Sequence, residues 1–218
     1  MSLRINDIAP DFNAQTTQGA INFHEWIGDS YAILFSHPKD FTPVCTTELG
    51  YAAKLAPDFA ARNTKLIGLS VDPVDNHDAW AEDIQETQGS EVKFPMIADT
   101  DLAVSKLYNM LPAEEVDSEG RTAADNATVR TVFIIGPDKK VKLSMTYPMS
   151  AGRNFDEILR VLDAIQVGET HSVATPVNWQ PGDDVIIPPT VSNEDATARY
   201  PDGFVTIKPY LRYVKQPA

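Results

Sequence analysis

The stretch HPKDFTPVCTTELG, residues 37–50, decides the fold because a buried strand gives way to a helix within it. Ahead of it, YAILFS at residues 31–36 is a short apolar run with aromatic and β-branched residues, which is typical of a buried strand. Thr42 and Pro43 then provide a hydroxyl at the N-cap and a proline at the first helical position, a common helix start. Cys45, the only cysteine of the chain, is therefore predicted in the first turn of a helix.

The predicted position of Cys45 favours nucleophilic chemistry. The first N–H groups of a helix have no partner within it, and the helix dipole favours negative charge at that end. A thiolate, the reactive form of cysteine, is stabilised there. Thr42 can direct a hydroxyl at the sulfur or at a bound substrate. The alternative is a buried structural cysteine, since free cysteine is among the most buried residue types. The arrangement of Pro38, Thr42 and Cys45 at a strand-to-helix turn favours the reactive cysteine.

These residues carry a family resemblance. Pro38, Thr42 and Cys45 match the PxxxTxxC active-site motif of the peroxiredoxins, and SHPKDFTPVCTTELG at 36–50 closely resembles the one-cysteine subgroup, the peroxiredoxin-6-like proteins. Further similar segments follow at residues 135–148, 152–161, 173–179 and 210–213. Because several long matches occur in the right order, the resemblance is specific and extends over nearly the whole chain.

The resemblance implies an α/β chain with the thioredoxin-like peroxiredoxin fold, in which helices flank a central mixed sheet. It implies a thioredoxin-like peroxidase domain at residues 5–170 and a C-terminal dimerisation extension at residues 171–218. Prolines are frequent between Pro176 and Pro217, so little regular structure is expected there. We expect a homodimer in which the extension packs on the other subunit, because it is too irregular to bury its own large apolar side chains, which are Trp179, Ile186, Ile187, Phe204 and Tyr210.

The function implied by the resemblance is that of a thiol-dependent peroxidase, an oxidoreductase acting on hydrogen peroxide and organic hydroperoxides. Cys45 would attack the peroxide and become a sulfenic acid, which an external thiol would reduce. Such an enzyme serves antioxidant defence and cell redox homeostasis, and no cofactor is implied. The alternative is a redox sensor or an oxidation-switched binding protein, which would react once rather than turn over. A bare thioredoxin-fold binding module would leave Thr42, Cys45 and Arg130 unexplained.

Peroxide reduction also needs groups that orient the peroxide and stabilise the departing oxygen. Thr42 can hydrogen-bond the attacked peroxide, and Pro38 can shield the sulfur from bulk water. A guanidinium is the cation best suited to hold the thiolate, because it stays charged and presents a fork of donors. The resemblance assigns this role to Arg130, in VRTVF. From the residues alone, Arg130 could equally be a surface charge at the end of a strand.

Three further residues are candidates around the pocket. His37 resembles the residue that lies beside the family's pocket, although it could simply end a strand. Glu48 is expected to orient Arg130, and Arg153 is expected to add a second guanidinium. No metal is expected, because the histidines show no metal-ligand spacing and one cysteine cannot supply a thiolate cluster.

A second activity has been described for some members of the family, a phospholipase with a GDSWG motif. The matching residues 28–32 read GDSYA, so the final glycine is missing. The corresponding triad would be Ser30, His24 and Asp138. A nucleophile elbow needs glycine for its tight strand-to-helix turn, whereas Ser30 precedes a predicted strand. The sequence therefore argues against this activity.

Composition limits the partners and the location. The net charge of −13, from 18 basic and 31 acidic residues, argues against nucleic acid and anionic membrane surfaces as partners. One cysteine excludes an intrachain disulfide, which fits a reducing compartment. No apolar run approaches the length of a membrane span, and MSLRINDIAPDF at residues 1–12 has no apolar signal core. A cytoplasmic location is expected.

The remaining elements follow from periodicity and turn signals. A hairpin is predicted within residues 3–23, with Phe12 and Phe23 packing inward. Residues 72–88 have helical spacing, and His77 within them is predicted to be a packing or a surface histidine. Asn154 is predicted to cap a helix that ends before Gly168. Further strands are predicted at 65–72, 93–99, 128–136 and 141–147, a short helix at 101–107, and an exposed loop at 112–126.

Overall fold

The architecture is taken from a computed structural model, which describes residues 3–113 and 127–217. The chain forms two compact units, Met1–Phe155 and Asp156–Ala218. The predicted boundary at residue 170 stays a prediction about domains, because a compact unit need not be an independent domain. Of the loop expected at 112–126, residues 114–126 lie outside the described part of the chain.

A seven-stranded mixed sheet forms the centre of the first unit, in the order β2-β1-β5-β4-β3-β6-β7. The central strand β3 is parallel to β4 and antiparallel to β6. The mixed sheet implied by the family resemblance is confirmed. Its strands are β1 (Asn13–Thr16), β2 (Gly19–Asn22), β3 (Tyr31–Ser36), β4 (Thr64–Ser70), β5 (Met96–Ala98), β6 (Arg130–Ile135) and β7 (Val141–Tyr147).

Along the chain, helices connect successive strands of this unit. They are α1 (Phe23–Ile27), α2 (Pro43–Ala60), α3 (Val74–Gln88) and α4 (Ala103–Leu107). The strand-to-helix change that the sequence predicts is confirmed, with Thr42 as the N-cap of α2 and Pro43 at its start. Within the ranges that the structure describes, no helix is both long and apolar enough to cross a membrane.

An aromatic cluster belongs to the apolar core of this unit. Phe12 and Phe23 stack with their ring centroids 4.5 Å apart, so the packing predicted for the β1–β2 hairpin is confirmed. Tyr108 meets both rings edge-on and donates its hydroxyl to the carbonyl of Pro10 over 2.6 Å. Burial raises the pKa of Tyr108 above its ordinary value, so this donor stays protonated.

Gly50 allows α2 and α3 to pack closely. An added Cβ at Gly50 would lie 2.4 Å from both Cβ and Cγ of Gln88. No real Cβ atom tolerates such a contact, so either the helices or the Gln88 side chain would have to shift. The glycine that weakens the helix signal in the sequence is therefore explained by packing.

The C-terminal unit begins within α5 (Phe155–His171) and continues with β8 (Val185–Ile186), α6 (Asn193–Arg199), β9 (Val205–Lys208) and β10 (Leu211–Val214). The predicted end of α5 before Gly168 is wrong, because the helix continues to His171. The reason for the glycine is space, since a Cβ at Gly168 would lie 3.2 Å from the carbonyl oxygen of Val173.

This unit has an apolar core of its own, so the expectation that the extension could not bury its large side chains is wrong in part. Trp179 and Ile187 are buried in a cluster with Val185, Ala196 and Val214. The three strands β8, β10 and β9 pair in that order to form a small antiparallel sheet. Tyr210 does remain exposed, with 68% of its surface accessible.

Candidate active site

Cys45 lies in the first turn of α2 and is fully buried. Thr42 is the N-cap, as predicted, but its side chain makes no capping hydrogen bond. Its hydroxyl instead donates to the carbonyl of Lys39 over 2.8 Å. Because its hydrogen is used in this way, Thr42 Oγ1 is available to a bound molecule as an acceptor.

Arg130 reaches Cys45 because β6 pairs with β3, the strand that leads to the cysteine. The pairing sets Phe35 opposite Val132, and Arg130 is the first residue of β6. Its Nη1 donates to Cys45 Sγ over 3.4 Å, and its Nε donates to the carbonyl of Met149 over 2.8 Å. The side chain is buried, so the alternative of a surface charge is wrong.

Glu48 lies between two arginines. Its Oε2 accepts hydrogen bonds from Arg130 Nη1 over 2.6 Å and from Arg153 Nη2 over 2.8 Å. Its Oε1 accepts from the backbone N–H of Arg153 over 2.7 Å and from Arg153 Nε over 2.9 Å. All three side chains are buried. The structure therefore brings together Cys45, Arg130, Glu48 and Arg153, and the catalytic roles that the family resemblance implies for them stay predictions.

Arg153 ties this group to the sheet. Its Nη1 donates to the carbonyl of Ser36, at the end of β3, over 2.8 Å and to the carbonyl of Thr131 over 3.2 Å. Its guanidinium carbon lies 5.2 Å from the ring centroid of Phe35 and 5.4 Å from that of Phe155, within the range of cation–π attraction. Arg153 is thus held on several sides.

The charge of Glu48 depends on these arginines. Burial is the largest influence on Glu48, and by itself it disfavours the carboxylate. The hydrogen bonds and charge of Arg153, with the charge of Arg130, outweigh burial and hold the pKa of Glu48 below its ordinary value of 4.5. Glu48 is therefore a carboxylate at neutral pH, and it accepts a hydrogen bond from the Arg130 guanidinium beside the Cys45 sulfur.

Pro38 lies in the loop between β3 and α2 and lines a cavity of about 410 Å³. Lys39, Asp72, Asn76 and Thr100 also line it. The shielding of the sulfur by Pro38 stays a prediction.

His37 belongs to a buried group that the sequence did not predict. Its Nε2 lies 2.7 Å from Asp40 Oδ1, and the other carboxylate oxygen, Oδ2, lies 2.5 Å from Nδ1 of His77. Neither histidine has any exposed surface. His77 is thus a buried, hydrogen-bonded residue and not a surface one. Its pairing with Asp40 joins α3 to the loop before α2, a long-range contact for which the sequence holds no local signal.

Histidine and aspartate are also zinc-ligand types, and the ligand atoms of His37, Asp40 and His77 lie within 4.8 Å of one another. In this structure those atoms face each other in hydrogen bonds. The expected lack of a metal stays a prediction.

The three residues of the possible phospholipase triad have different partners. Ser30 Oγ donates to Asn63 Oδ1 over 3.2 Å, and His24 Nε2 lies 2.8 Å from the carbonyl oxygen of Ala9. Asp138 accepts a hydrogen bond from Lys142. These contacts do not form a catalytic triad.

Comparisons with known proteins agree with this geometry. The model of the AhpC/TSA family matches residues 5–144, and the model of the C-terminal domain of 1-Cys peroxiredoxin matches residues 164–203. The mitochondrial peroxiredoxin of Saccharomyces cerevisiae is 54% identical over 217 residues, which cover 98% of this chain and 81% of that protein. Peroxiredoxin-6 of Gallus gallus is 51% identical over 224 residues, which cover 99% of this chain and 98% of that protein.

A solved structure of the yeast mitochondrial 1-Cys peroxiredoxin has a TM-score of 0.87 and 52% identity, and the match covers 98% of this chain and 99% of that one. That protein is described as resolving its thiol through the glutathione and thioredoxin systems. The cytoplasmic location expected from the sequence is contradicted, because the yeast relative is mitochondrial.

Proposed function

Because this chain belongs to the peroxiredoxin family and is a one-cysteine, thiol-dependent peroxidase, we propose that Cys45 reacts under the control of Arg130, Glu48, Arg153 and Thr42. The observation that carries the proposal is the contact between Arg130 Nη1 and Cys45 Sγ at 3.4 Å. A buried guanidinium at this distance stabilises a thiolate and can also stabilise negative charge that develops on a peroxide.

In the first step, the Cys45 thiolate attacks one oxygen of the hydroperoxide. A sulfur–oxygen bond forms as the oxygen–oxygen bond breaks, so the sulfur is oxidised to sulfenic acid and the peroxide is reduced. The departing hydroxide or alkoxide takes a proton and leaves as water or an alcohol. Arg130 lowers the energy of this anion as it forms, because its donors are held in place by Glu48 before the reaction begins.

Thr42 positions the peroxide. Its hydroxyl hydrogen is committed to the carbonyl of Lys39, so its oxygen can accept the O–H of a hydroperoxide. This role requires a substrate with an O–H group, which hydrogen peroxide and organic hydroperoxides both have. Pro38, in the same loop, limits the access of water to the sulfur.

In the second step, an external thiol restores Cys45. The sulfenic acid condenses with one thiol to give water and a mixed disulfide, and a second thiol displaces the first as a disulfide and regenerates the Cys45 thiol. The chain has one cysteine, so it cannot supply the resolving thiol itself. The yeast relative, with its glutathione and thioredoxin systems, supports glutathione or a thioredoxin as the reductant.

The experiment is peroxide consumption by the purified protein with glutathione or a thioredoxin system, with the mass of the intact protein followed over time. We expect many turnovers per chain and a mixed disulfide on Cys45 with glutathione. Cys45→Ser should lose the activity while keeping its circular dichroism spectrum. Excess peroxide without thiol should add two or three oxygens at Cys45. A protein that reacts once and then stops with every thiol is a sensor, and the proposal would then be wrong.

We also propose that the enzyme is a homodimer formed through its C-terminal unit. The support is an exposed apolar patch on and beside β9, where Val205, Ile207 and Tyr210 are 61%, 58% and 68% exposed. Val205 and Ile207 are two residues apart, so they lie on one face of the strand. The family resemblance implies that a second copy of this chain covers the patch.

The dimer is tested by sedimentation velocity on Ile207→Asp. A charge in the interface should shift the protein towards monomer at low micromolar concentration. The matched control is Val177→Asp, in the same unit, because Val177 is 88% exposed and outside the β9 patch. If Ile207→Asp and Val177→Asp sediment alike, the β9 patch is not the interface.

For the location, we propose the mitochondrion, supported by the mitochondrial relative in yeast. Fractionation of the source cells with an antibody to the native chain tests this. Recovery in the cytosol alone would reject it.

A further inference from the structure

The group of His37, Asp40 and His77 is buried beside the reactive loop and is not used in the chemistry described above. Asp40 lies in the loop at residues 37–42, which connects β3 to α2 and carries Pro38 and Thr42. His77 comes from α3, so its bond to Asp40 joins the loop to a separate helix. The backbone N–H of Asp40 donates to Asp72 Oδ2 over 2.9 Å, which ties the loop to the residues after β4.

The contacts of His77 fix its protonation. Its Nε2 lies 3.1 Å from the carbonyl oxygen of Ile97, which can only accept a hydrogen bond. Its Nδ1 lies 2.5 Å from the Asp40 carboxylate, which also accepts when it is ionised. A neutral imidazole has one N–H and cannot donate to both. Either His77 carries two protons, or Asp40 carries one.

The surroundings of Asp40 favour the ionised carboxylate. Burial is the largest influence and opposes the charge, but hydrogen bonds from His37 and His77 outweigh it and hold the pKa of Asp40 well below its usual range. The second proton therefore belongs to His77.

His37 is the neutral member of the group. Among the described residues its Nδ1 has no hydrogen-bond partner, although the ring is fully buried. A proton on that nitrogen would be left unsatisfied, so Nε2 carries the hydrogen and donates to Asp40. Burial is the main cause that lowers the pKa of His37 below 6.5, in agreement with a neutral ring. The group is one carboxylate, one imidazolium and one neutral imidazole.

We propose that His77 is a positioning residue for peroxide reduction: as a doubly protonated imidazole it locks Asp40, and through Asp40 the loop that presents Thr42 and Pro38 beside Cys45. This inference rests on the roles proposed above for Thr42 and Pro38. The charged pair is stronger than a neutral hydrogen bond, and the second tie from the Asp40 backbone N–H to Asp72, after β4, leaves Asp40 little freedom. His77 itself does not touch the reacting atoms.

The protonation is tested on the unaltered protein. Long-range proton–nitrogen NMR spectra of the reduced, nitrogen-15-labelled enzyme at neutral pH distinguish protonated from bare imidazole nitrogens. The His77 signals are assigned by their loss in His77→Gln. We expect two protonated nitrogens on His77 and one on His37. A bare nitrogen on His77 overturns the proposal, whether or not the peroxidase roles hold.

The positioning is tested by two rate constants for Cys45, oxidation by hydrogen peroxide in a stopped-flow instrument and alkylation by iodoacetamide. His77→Gln should slow oxidation by about tenfold and leave alkylation nearly unchanged, because alkylation needs the thiolate but not an oriented peroxide. A merely structural role would slow both rates alike or neither, and either result overturns the proposal. His171→Gln, in the C-terminal unit, is the control.

A double variant tests whether His77 acts through Asp40. Asp40→Asn should slow oxidation by itself, and adding His77→Gln to it should cause little further loss, because both remove the same pair. Fully additive losses contradict the proposed route. If instead the wild-type enzyme fails to turn over peroxide, the proposed function fails, and the NMR result for His77 is unaffected.

Discussion

Arg130 contacts Cys45 through Nη1, and the same nitrogen donates to Glu48 over 2.6 Å while it lies 3.4 Å from the sulfur. The shorter bond, to Glu48, sets the position of the guanidinium. The longer one leaves room for the sulfur to become a sulfenic acid. The cation is therefore anchored by the carboxylate and not by the reacting atom. This arrangement keeps the donors in place while Cys45 alternates between thiolate and sulfenic acid.

Two substitutions of Arg130 distinguish the effect of its positive charge from the effect of its fork of donors. Arg130→Met should lower the rate constant for oxidation of Cys45 by about a hundredfold, because it removes a fixed donor from the site of developing charge. It should also slow alkylation of Cys45 at neutral pH, because less thiolate is present. Arg130→Lys should recover part of the alkylation rate but little of the oxidation rate, since it lacks the fork of donors. Equal oxidation rates for wild type and Arg130→Met would exclude Arg130 as the partner of Cys45.

Replacing Glu48 should affect stability more than an exposed ion pair does. Glu48→Gln leaves two buried guanidiniums without their carboxylate, and we expect it to lower the free energy of unfolding by about 3–5 kcal/mol. The control is Glu157→Gln, which breaks the more exposed pair with Arg160 and should cost less than about 1 kcal/mol. Urea unfolding near neutral pH measures both, and equal losses would contradict the buried network.

The same carboxylate predicts the response to acid. The pKa of Glu48 is held below its unfolded value of about 4.5, so its contribution to stability is complete above that pH and is lost as the pH falls through the folded value. Glu48→Gln should therefore lose less stability than wild type between neutral pH and about pH 4. A parallel decline in both proteins would show that Glu48 does not titrate as described.

His37 predicts a second loss of stability at milder acidity. Burial lowers its pKa below 6.5, so the unfolded chain binds a proton at a pH where the folded chain does not. Its contribution is complete above about pH 6.5 and is lost as the pH falls towards the folded value. His37→Gln keeps a donor in place of Nε2 but cannot titrate, so its free energy of unfolding should change less than that of wild type between about pH 7.5 and pH 5.5. Urea unfolding of wild type and His37→Gln at the two pH values measures this difference.

Gly50→Ala should destabilise the protein although alanine is the better helix former. Where nothing obstructs the new methyl group, replacing glycine by alanine in a helix raises the free energy of unfolding by about 1 kcal/mol. Overpacking against Gln88 lowers it by about 1–3 kcal/mol. Adding Gln88→Gly should recover part of the loss by opening the space that the new methyl group needs. A higher midpoint of thermal unfolding for Gly50→Ala alone would show that α2 and α3 are not in close contact here.

Much of the fold and the place of Cys45 could be predicted from the sequence because the signals are local, whereas Arg130 was placed beside Cys45 only by the family resemblance. The strand at 31–36, the cap at Thr42 and the place of Cys45 all depend on neighbouring residues. The end of α5 could not be predicted, because a glycine such as Gly168 is typical of a helix end. Here Gly168 instead leaves space for the carbonyl of Val173, and periodicity does not reveal such a contact.

The pairing of His77 with Asp40 could not be predicted for a different reason. The two residues are 37 positions apart, and they meet only because α3 packs beside the loop before α2. The helical stripe that contains His77 indicates burial, and burial of a histidine requires a partner. That requirement is a signal that a polar partner exists, but it does not identify Asp40.

The shared carboxylate also sets the electroneutrality of the reaction centre. Arg130 and Arg153 carry two positive charges and Glu48 carries one negative charge, so a thiolate at Cys45 makes the four side chains neutral together. Oxidation to the uncharged sulfenic acid leaves one positive charge uncompensated in a buried place of low dielectric. The oxidised centre then attracts an anion more strongly than the reduced centre does.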